Sequence, residues 1–344
     1  MPKRSLAKRL FNPKYIMVYA TLGIFMLIYL FGAIMYADKG FTSLRTFSLL
    51  FIDNAYIGIS AVGMTMVLIT GGIDLSVGAV ASLTGMIIAY GNTVLGVDPL
   101  ICMLVALIVG VGLGLTMGAM IHYLNVPPFI TTLTGMFLAR GVCSLISRDS
   151  ISIKNDLIDT LAGWKAYFLW PDNGEWVKIK PIAYINLNVI LFLLMIVIGT
   201  VILQRTKFGR NVYALGGSEQ SSKLMGLPVA RTKVLVYGFN GLCSVLAGFA
   251  YVLYVKSGWN LALVGSELDV ISSAVIGGVL LTGGVGYMIG TLFGVLLKGT
   301  IPALITFNGA LSSWWAKIVI GALLLLFIGI QRIVVAYTSR KKAE

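Results

Sequence analysis

Four polar residues stand inside or beside long apolar stretches of the sequence, and their side chains are the ones best able to do chemistry there. They are Asp53, Asn54, Asp74 and Asp269. A carboxylate within a membrane is costly unless it is hydrated, paired or used, and in transporters it marks proton relays and solute paths. The same residue types also cap helices, because their oxygens accept free amide hydrogens of the first turn. Both a pore and a structural role are therefore open.

The run TGGIDLSVGA at 70–79 favours the structural role for its aspartate. Two glycines break the apolar stretch before it, so Asp74 or Ser76 is expected to cap a re-entering helix. Asp269 opens a later span in the same way and receives the same interpretation, with substrate or proton coupling as the alternative for both. For Asp53, pore lining and simple interfacial placement are equally supported.

Three basic residues also fall within apolar spans. Arg140 is expected to pair with an acid such as Asp53. Lys298 and Lys317 are expected to extend along apolar surface so that their ammonium groups reach water. These placements are consequences of the cost of leaving a charge in hydrocarbon.

The sequence offers no residue set for catalysis. It has one histidine, thirteen scattered acids and no G-x-x-x-x-G-K-[ST] loop, so we expect no catalytic residues, no metal and no cofactor. Any ATP must be bound by another protein. The three cysteines, Cys102, Cys143 and Cys243, lie in predicted spans and are expected to act as small packing residues.

The composition is that of an integral membrane protein. Of 344 residues, 58% are hydrophobic and only 11% are charged, whereas soluble domains carry about 25% charged residues. Lys and Arg cluster near both ends and between 204 and 233. This distribution indicates cytoplasmic positive charge rather than nucleic-acid binding as the source of the net charge of +13.

The apolar stretches predict an all-α polytopic fold of about ten transmembrane helices. The predicted spans are 15–37, 47–69, 75–95, 99–124, 128–147, 181–203, 234–255, 268–282, 287–307 and 315–336. We expect one membrane domain over residues 1–344, with both termini cytoplasmic. A periplasmic loop is expected at about 148–180 and a cytoplasmic loop at about 204–233.

Two local similarities indicate an inverted repeat. The stretch IDLSVGAV at 73–80 matches LDVISSAV at 268–275, and glycines recur every four residues in the fourth and ninth spans, a spacing that lets helices touch closely. Those glycines are Gly110, Gly114 and Gly118, and Gly286, Gly290 and Gly294. In both matches the second stretch lies five spans after the first. An odd shift inverts the repeat across the membrane, as in many transporters.

The loop at 204–233 contains a short run with well-marked helix ends. A serine suited to capping, acid in the first turn, lysine in the last and flanking glycines predict a helix from Ser218 to Leu224. The residues that define it are Gly216, Gly217, Ser218, Glu219, Lys223 and Gly226.

Four stretches carry a family resemblance: GGIDLSVGAVASLTG at 71–85, NVPPFITTLTGMFLARG at 125–141, RTKFGRNVYALGGSEQSSKLMGL at 205–227 and ELDVISSAVIGGVLLTGGVG at 267–286. Together they resemble the monosaccharide permeases of ABC importers, over nearly the whole chain. Within that family, DNAYIGISAVGMTMVLITGGIDLSVG and the tail GALSSWWAKIVIGALLLLFIGIQR are most similar to a permease subunit of galactofuranose importers.

The resemblance implies a permease subunit that forms half of a pore in the bacterial inner membrane. Its partners would be a second permease, in a heterodimer or a homodimer, cytoplasmic ATP-binding subunits and a periplasmic sugar-binding protein. The 204–233 loop would be the element that couples ATPase closure to the pore, with a plain solvated linker as the alternative.

Two rival functions stay open at this stage. The first is an ion-coupled secondary transporter of a small solute, which would use Asp53, Asp74 or Asp269. The second is a membrane scaffold that transports nothing.

Overall fold

The computed structural model describes residues 16–172, 175–178, 182–312 and 314–343, and it is mostly helical. The expected cytoplasmic tail before residue 16 lies outside the described residues. The helices, in chain order, are α1 (Ile16–Met35), α2 (Leu44–Ile69), α3 (Val77–Thr93), α4 (Pro99–Tyr123), α5 (Pro128–Ile146), α6 (Asp156–Gly163), α7 (Leu187–Arg205), α8 (Lys207–Gly217), α9 (Glu219–Leu224), α10 (Val229–Val255), α11 (Ser266–Ile276), α12 (Met288–Asn308) and α13 (Trp314–Ala343).

Six short strands accompany these helices in the described part of the chain. They form three antiparallel pairs: β1 (Ile151–Ser152) with β6 (Ser257–Gly258), β2 (Lys165–Tyr167) with β5 (Tyr184–Asn186), and β3 (Leu169–Asp172) with β4 (Glu175–Lys178). Five of the six strands and α6 belong to or adjoin the segment expected to be periplasmic. The sequence analysis did not predict these strands, because two to four residues are too few to show alternation.

Each of the ten predicted spans contains one helix. Eight described helices are long and apolar enough to cross a membrane, namely α1, α2, α4, α5, α7, α10, α12 and α13. The third and eighth predicted spans correspond to shorter helices, the 17-residue α3 and the 11-residue α11. An α-helix rises about 1.5 Å per residue, so α11 covers about half of a 30 Å hydrocarbon layer.

The interior of the bundle is built around α2 and α10. In the most apolar window of α2, 83% of the residues are buried, compared with 17% in α13 at the edge. The main core joins α2 and α10 to α7, α11 and α12. All three cysteines are buried and free, as predicted.

The glycines that lie within α4 and α12 allow close helix contact, as the four-residue spacing predicts, whereas Gly286 lies before α12, which begins at Met288. A Cβ atom on Gly118 of α4 would lie 2.8 Å from the Cα of Val234 on α10. A Cβ atom on Gly294 of α12 would lie 2.8 Å from the amide nitrogen of Gly277, directly after α11. Larger residues at these positions would force the helices apart.

Helix neighbours follow a similar pattern in the two halves of the chain. Helix α3 packs against α4, α5 and α10, and helix α11 packs against α12, α13 and α2. Likewise, α4 packs on α10 and α12 packs on α2. Every one of these pairs maps onto another when the spans are shifted by five.

The two short helices begin next to each other inside the bundle. A Cβ atom on Gly78, in the first turn of α3, would lie 2.5 Å from the hydroxyl oxygen of Ser266, the first residue of α11. It would also lie 2.8 Å from the carbonyl oxygen of Leu263. The polar residues that precede and begin α3 and α11 therefore occupy the interior rather than the ends of the bundle.

Candidate functional site

Helix α9 forms as the sequence predicts. It spans Glu219–Leu224, and the Ser218 hydroxyl accepts the amide hydrogen of Ser221 at 3.2 Å, which caps the first turn. The chain leaves the helix through Gly226, whose φ of +72° is the left-handed conformation that glycine tolerates best. The predicted caps of this short helix are confirmed, while its role stays a prediction.

Glu219 ties α9 to the start of α10. Its carboxylate pairs with Lys223 at 3.0 Å within α9 and with Lys233 at 2.7 Å on α10. Burial alone would raise the pKa of the Glu219 carboxyl, but the hydrogen bonds and charges of the two lysines outweigh burial and hold the pKa below its usual range. The carboxylate is therefore ionised at neutral pH, and α9 is anchored on one side.

The free side of α9 ends in two exposed apolar residues. Leu224 is 84% exposed and Met225 is 65% exposed. Single exposed apolar residues are common, but a pair at the tip of a capped helix, outside any predicted span, is a usual feature of contact surfaces. Leu224 and Met225 can therefore form a small apolar contact surface for a second protein.

Gly216 joins this segment to the membrane helices. A Cβ atom on Gly216 would collide with the carbonyl oxygen of Ile69, the last residue of α2, and would lie 2.5 Å from the amide nitrogen of Gly284. The same two groups already bond each other, Gly284 donating to Ile69 at 2.8 Å. The end of α8, the end of α2 and the turn before α12 therefore meet at one point. A Cβ atom on Gly217 would meet no heavy atom within 4 Å.

Asp74 is enclosed and fully hydrogen-bonded. It is 1% exposed, and its Oδ1 accepts the amide hydrogen of Ser76 at 2.8 Å and the Ser76 hydroxyl at 2.6 Å. Its Oδ2 accepts from Nδ2 of Asn240, on α10, at 2.8 Å. This carboxylate holds the turn before α3 against α10.

The predicted capping of α3 is wrong in detail. Helix α3 begins at Val77, and its N-cap residue Ser76 makes no side-chain capping bond. Asp74 binds Ser76 itself, one residue before the helix, so it closes a turn rather than the first helical turn. Asp269 also does not cap α11, whose N-cap residue is Gly265.

Asp269 and Lys298 form an ion pair between α11 and α12. The Nζ of Lys298 lies 3.3 Å from Oδ1 of Asp269. Lys298 is only 6% exposed, so the expectation that it reaches water along apolar surface is wrong. A charge at the centre of a membrane helix costs about 2.5–3.5 kcal/mol on insertion scales, and a partner carboxylate reduces that cost.

Two cavities lie along α12 and have Lys298 in both of their walls. One, of about 480 Å³, is lined by Asp269, Ser272 and Lys298. The other, of about 420 Å³, is lined by Asp53, Asn54 and again Lys298. Pro302 and Thr306 also line both cavities. The structure thus brings Asp53, Asn54 and Asp269 around Lys298, and it places Asp74 apart from them, since Asp74 lines neither cavity.

Asp53 and Asn54 have local partners on the cavity wall. Asp53 accepts a hydrogen bond from the hydroxyl of Tyr254 at 3.2 Å. Asn54 donates to the carbonyl oxygen of Leu50 at 2.9 Å. The expected pairing of Arg140 with Asp53 is wrong. The Arg140 guanidinium donates to the carbonyl oxygens of Asn260, at 2.9 Å, and Ala262, in the loop before α11.

Sequence reasoning missed two partners of the predicted residues, Asn240 and Lys298. Each is a strongly polar residue in the middle of a membrane helix, in FNGL at 239–242 and LLKG at 296–299. That placement is a usable signal, because polar side chains within membrane helices face the bundle interior and find partners there. Naming the partner needed the fold, since Asp74 and Asn240 are 166 residues apart.

A family model described as "Branched-chain amino acid transport system / permease component" matches residues 46–328. The chain belongs to this permease family. It is a multi-pass inner-membrane protein.

Three curated relatives cover most of their own length and most of this chain. The "Inner membrane ABC transporter permease protein YjfF" of Escherichia coli (strain K12) is 43% identical over 91% of this chain and 90% of its own length. The "Fructose import permease protein FruG" of Bifidobacterium longum is 39% identical over 94% and 92%. The "Ribose import permease protein RbsC" of Bacillus subtilis is 35% identical over 80% and 81%. No solved structure matches the chain.

Proposed function

We propose that this chain is the permease subunit of a bacterial ABC importer that carries a monosaccharide across the inner membrane, with galactofuranose as the leading candidate. The observation that carries the proposal is its similarity, over four fifths of the chain or more, to relatives named as import permeases for fructose and ribose. Galactofuranose as the substrate is proposed from the resemblance of residues 53–78 and of the tail at 309–332.

The partners follow from this proposal. ATP is hydrolysed by separate cytoplasmic ATP-binding subunits, a periplasmic protein delivers the sugar, and a second permease completes the pore as a homodimer or a heterodimer. The whole chain acts as one membrane domain with an inverted repeat. The matching helix neighbours of α2–α5 and α10–α13 support that repeat.

The 204–233 segment is the coupling element in this proposal. Its capped helix α9 presents Leu224 and Met225 to the ATPase, and Gly216 passes movement to α2 through backbone contact with Ile69 and Gly284. Backbone contacts without an intervening side chain transmit displacement with little loss, because closely packed atoms cannot move independently.

The rival function is an ion-coupled carrier, and the buried carboxylate of Asp74 is the observation that favours it. Three hydrogen bonds from Ser76 and Asn240 already occupy that carboxylate. A coupling carboxylate must exchange its proton or ion with water during transport, and a group that is 1% exposed has no such access in this conformation. Asp74 is therefore poorly suited to ion coupling, and the similarity to relatives named as import permeases makes the importer the better account.

Copurification tests the proposal. The tagged chain is expressed with its neighbouring genes, extracted in mild detergent and examined by mass spectrometry. We expect a stoichiometric P-loop ATPase, and either a second related permease or two copies of this chain. A chain that purifies alone and still moves solute in ATP-free liposomes would contradict the importer and support the carrier.

A further inference from the structure

The ion pair of Lys298 and Asp269 is the polar feature that helix packing alone does not explain. Lys298 is the eleventh residue of the 21-residue helix α12, so it lies about 15 Å from either end of the helix. An ionisable group at that depth is expensive, and it marks a solute path unless its only contacts are structural. Here Lys298 borders two cavities and Asp269 borders one of them.

The two cavities beside Lys298 offer the groups that a sugar needs. Hydroxyl groups require both donors and acceptors, and these are present in the Lys298 ammonium, the carboxylates of Asp53 and Asp269 and the amide of Asn54. The apolar C–H face of a sugar ring requires flat apolar surface. Tyr56 lines the same cavity as Asp53 and Asn54 and supplies such a surface.

The charged atoms of Lys298 and Asp269 are also farther apart than in a tight ion pair. Their N···O distance of 3.3 Å compares with 2.7 Å for Lys233 with Glu219, and charged hydrogen bonds usually measure about 2.7–2.9 Å. The Asp269 side chain is 37% exposed, so a solute in the cavity has access to it.

A proline in α12 adds a further acceptor at the same level. Pro302 lies inside the helix, and proline has no N–H, so the carbonyl oxygen of Lys298 loses its usual donor four residues later. Broken helical hydrogen bonds in membranes are tolerated where they border a cavity or water. Lys298 and Pro302 border both cavities.

From these contacts we propose that Lys298 and Asp269 form a sugar-binding subsite midway along the transport path, where the ammonium donates to one hydroxyl group and the carboxylate accepts from another. This inference rests on the proposed function and adds to it the residues that contact the sugar. The subsite replaces the ion pair with solute contacts as the sugar passes, and it restores the pair afterwards.

Transport by paired variants tests the subsite. The complex that copurifies with this chain is reconstituted in liposomes together with the periplasmic sugar-binding protein, and uptake of radiolabelled D-galactose, D-fructose and D-ribose is measured for the wild type, K298M and D269N/K298M. We expect both variants to lose uptake by about tenfold or more, which corresponds to the loss of one charged hydrogen bond. Complex assembly by the double variant should stay normal, because it leaves no unpaired charge.

Recovery of uptake in D269N/K298M would overturn the proposal, because it would show that the pair is only structural. Unchanged uptake in K298M would overturn it as well. Failure of the proposed function gives a different result, in which the wild-type complex moves none of the three sugars with ATP, and the subsite then fails with it.

Thiol labelling provides a readout that does not depend on transport rate. In a background with Cys102, Cys143 and Cys243 replaced by serine, T306C places a thiol on the wall of both cavities. I108C places a matched thiol on the outer face of α4, where Ile108 is 64% exposed. We expect a membrane-impermeant reagent to label T306C and not I108C, and the transported sugar to slow T306C labelling only when Lys298 is present. Equal labelling of both positions, or equal protection with K298M, would contradict the subsite.

Discussion

Asp74 and Asp269 occupy matching positions in the two similar stretches of sequence, yet their carboxylates have different surroundings. Asp74 is 1% exposed and holds three hydrogen bonds from Ser76 and Asn240. Asp269 is 37% exposed, has one ion-pair partner at 3.3 Å and lines a cavity. One carboxylate is closed off by its own turn and a neighbouring helix, and the other is open to solute.

This difference shows that two similar stretches of sequence can place their aspartates in different surroundings. Both residues precede or begin a short helix whose start lies inside the bundle. On the α3 side, the amide of Asn240 satisfies the second carboxylate oxygen directly. On the α11 side, a lysine from α12 balances the charge while leaving an oxygen accessible. We infer that the first half of the chain uses its aspartate for architecture and the second half uses its aspartate for transport.

The largest expected effect is the loss of stability in D74A. Removal of the carboxylate leaves the Ser76 amide and the Asn240 side chain without their acceptor, at about 1–3 kcal/mol for each buried donor left unpaired. We expect a strong decrease in the thermal midpoint and in the amount of folded protein, measured by fluorescence-detected size-exclusion chromatography after heating.

The exchange D74N/N240D is the control for this prediction. It keeps an acceptor for the Ser76 amide and a hydrogen bond between positions 74 and 240, so we expect partial recovery of the thermal midpoint. If D74A is as stable as the wild type, the structural role of Asp74 is wrong and the comparison between the two aspartates fails.

A smaller loss of stability is expected in D269N, and a second substitution at Lys298 should reverse most of it. In D269N alone, Lys298 keeps a buried charge without a partner, and we expect a cost of about 2 kcal/mol, below the roughly 3–5 kcal/mol of a fully buried pair because Asp269 is partly exposed. The double variant D269N/K298M should regain most of the thermal midpoint. If it is less stable than D269N, the two residues do not act as a pair.

Two adjacent glycines, Gly216 and Gly217, differ in the same way: one is tightly enclosed by backbone atoms and the other has free space for a side chain. In G216A the added Cβ meets backbone atoms of Ile69 and Gly284, and we expect a cost of about 1–2 kcal/mol from overpacking. ATP-driven uptake should fall further than stability does, since this contact joins α8 to α2. G217A is the matched control and should be neutral in both assays, because its added Cβ would meet no heavy atom within 4 Å. Equal uptake by the two variants would remove Gly216 from the coupling route.

The smallest expected effect concerns Glu219 and has a defined pH dependence. Partly exposed ion pairs contribute about 0–1 kcal/mol, so E219Q should lower the thermal midpoint only slightly at neutral pH. The pKa of Glu219 is held below its usual range in the folded chain, so its contribution is present above the usual pKa and is lost as pH falls through the lowered value. The difference between wild type and E219Q should therefore shrink on acidification. A difference that grows would contradict the assigned pairing.

Several features of this fold follow from local sequence. Ten apolar stretches predict the positions of ten helices. Helix α9 is predicted from the serine at its start and the glycine after its end. The four-residue glycine spacing predicts close contacts of α4 and α12. These features depend on periodicity and on backbone chemistry that neighbouring residues determine.

The roles of the polar residues depend on partners far along the chain. Asp74 and Asp269 have similar local sequence, and only the position of Asn240 on α10 and of Lys298 on α12 distinguishes them. Sequence periodicity cannot report which helix faces meet, so local sequence predicts capping for both aspartates and places Lys298 toward water. The strongly polar residue in the middle of each partner helix, Asn240 or Lys298, is the signal that improves both predictions.

The most direct test of the central claim is sugar uptake by the purified complex in liposomes, with ATP supplied to the side of the ATPase subunits. The account predicts accumulation of at least one of D-galactose, D-fructose and D-ribose that requires ATP and persists when an uncoupler removes ion gradients. Uptake that continues without ATP and stops with the uncoupler would contradict it and identify the chain as an ion-coupled carrier.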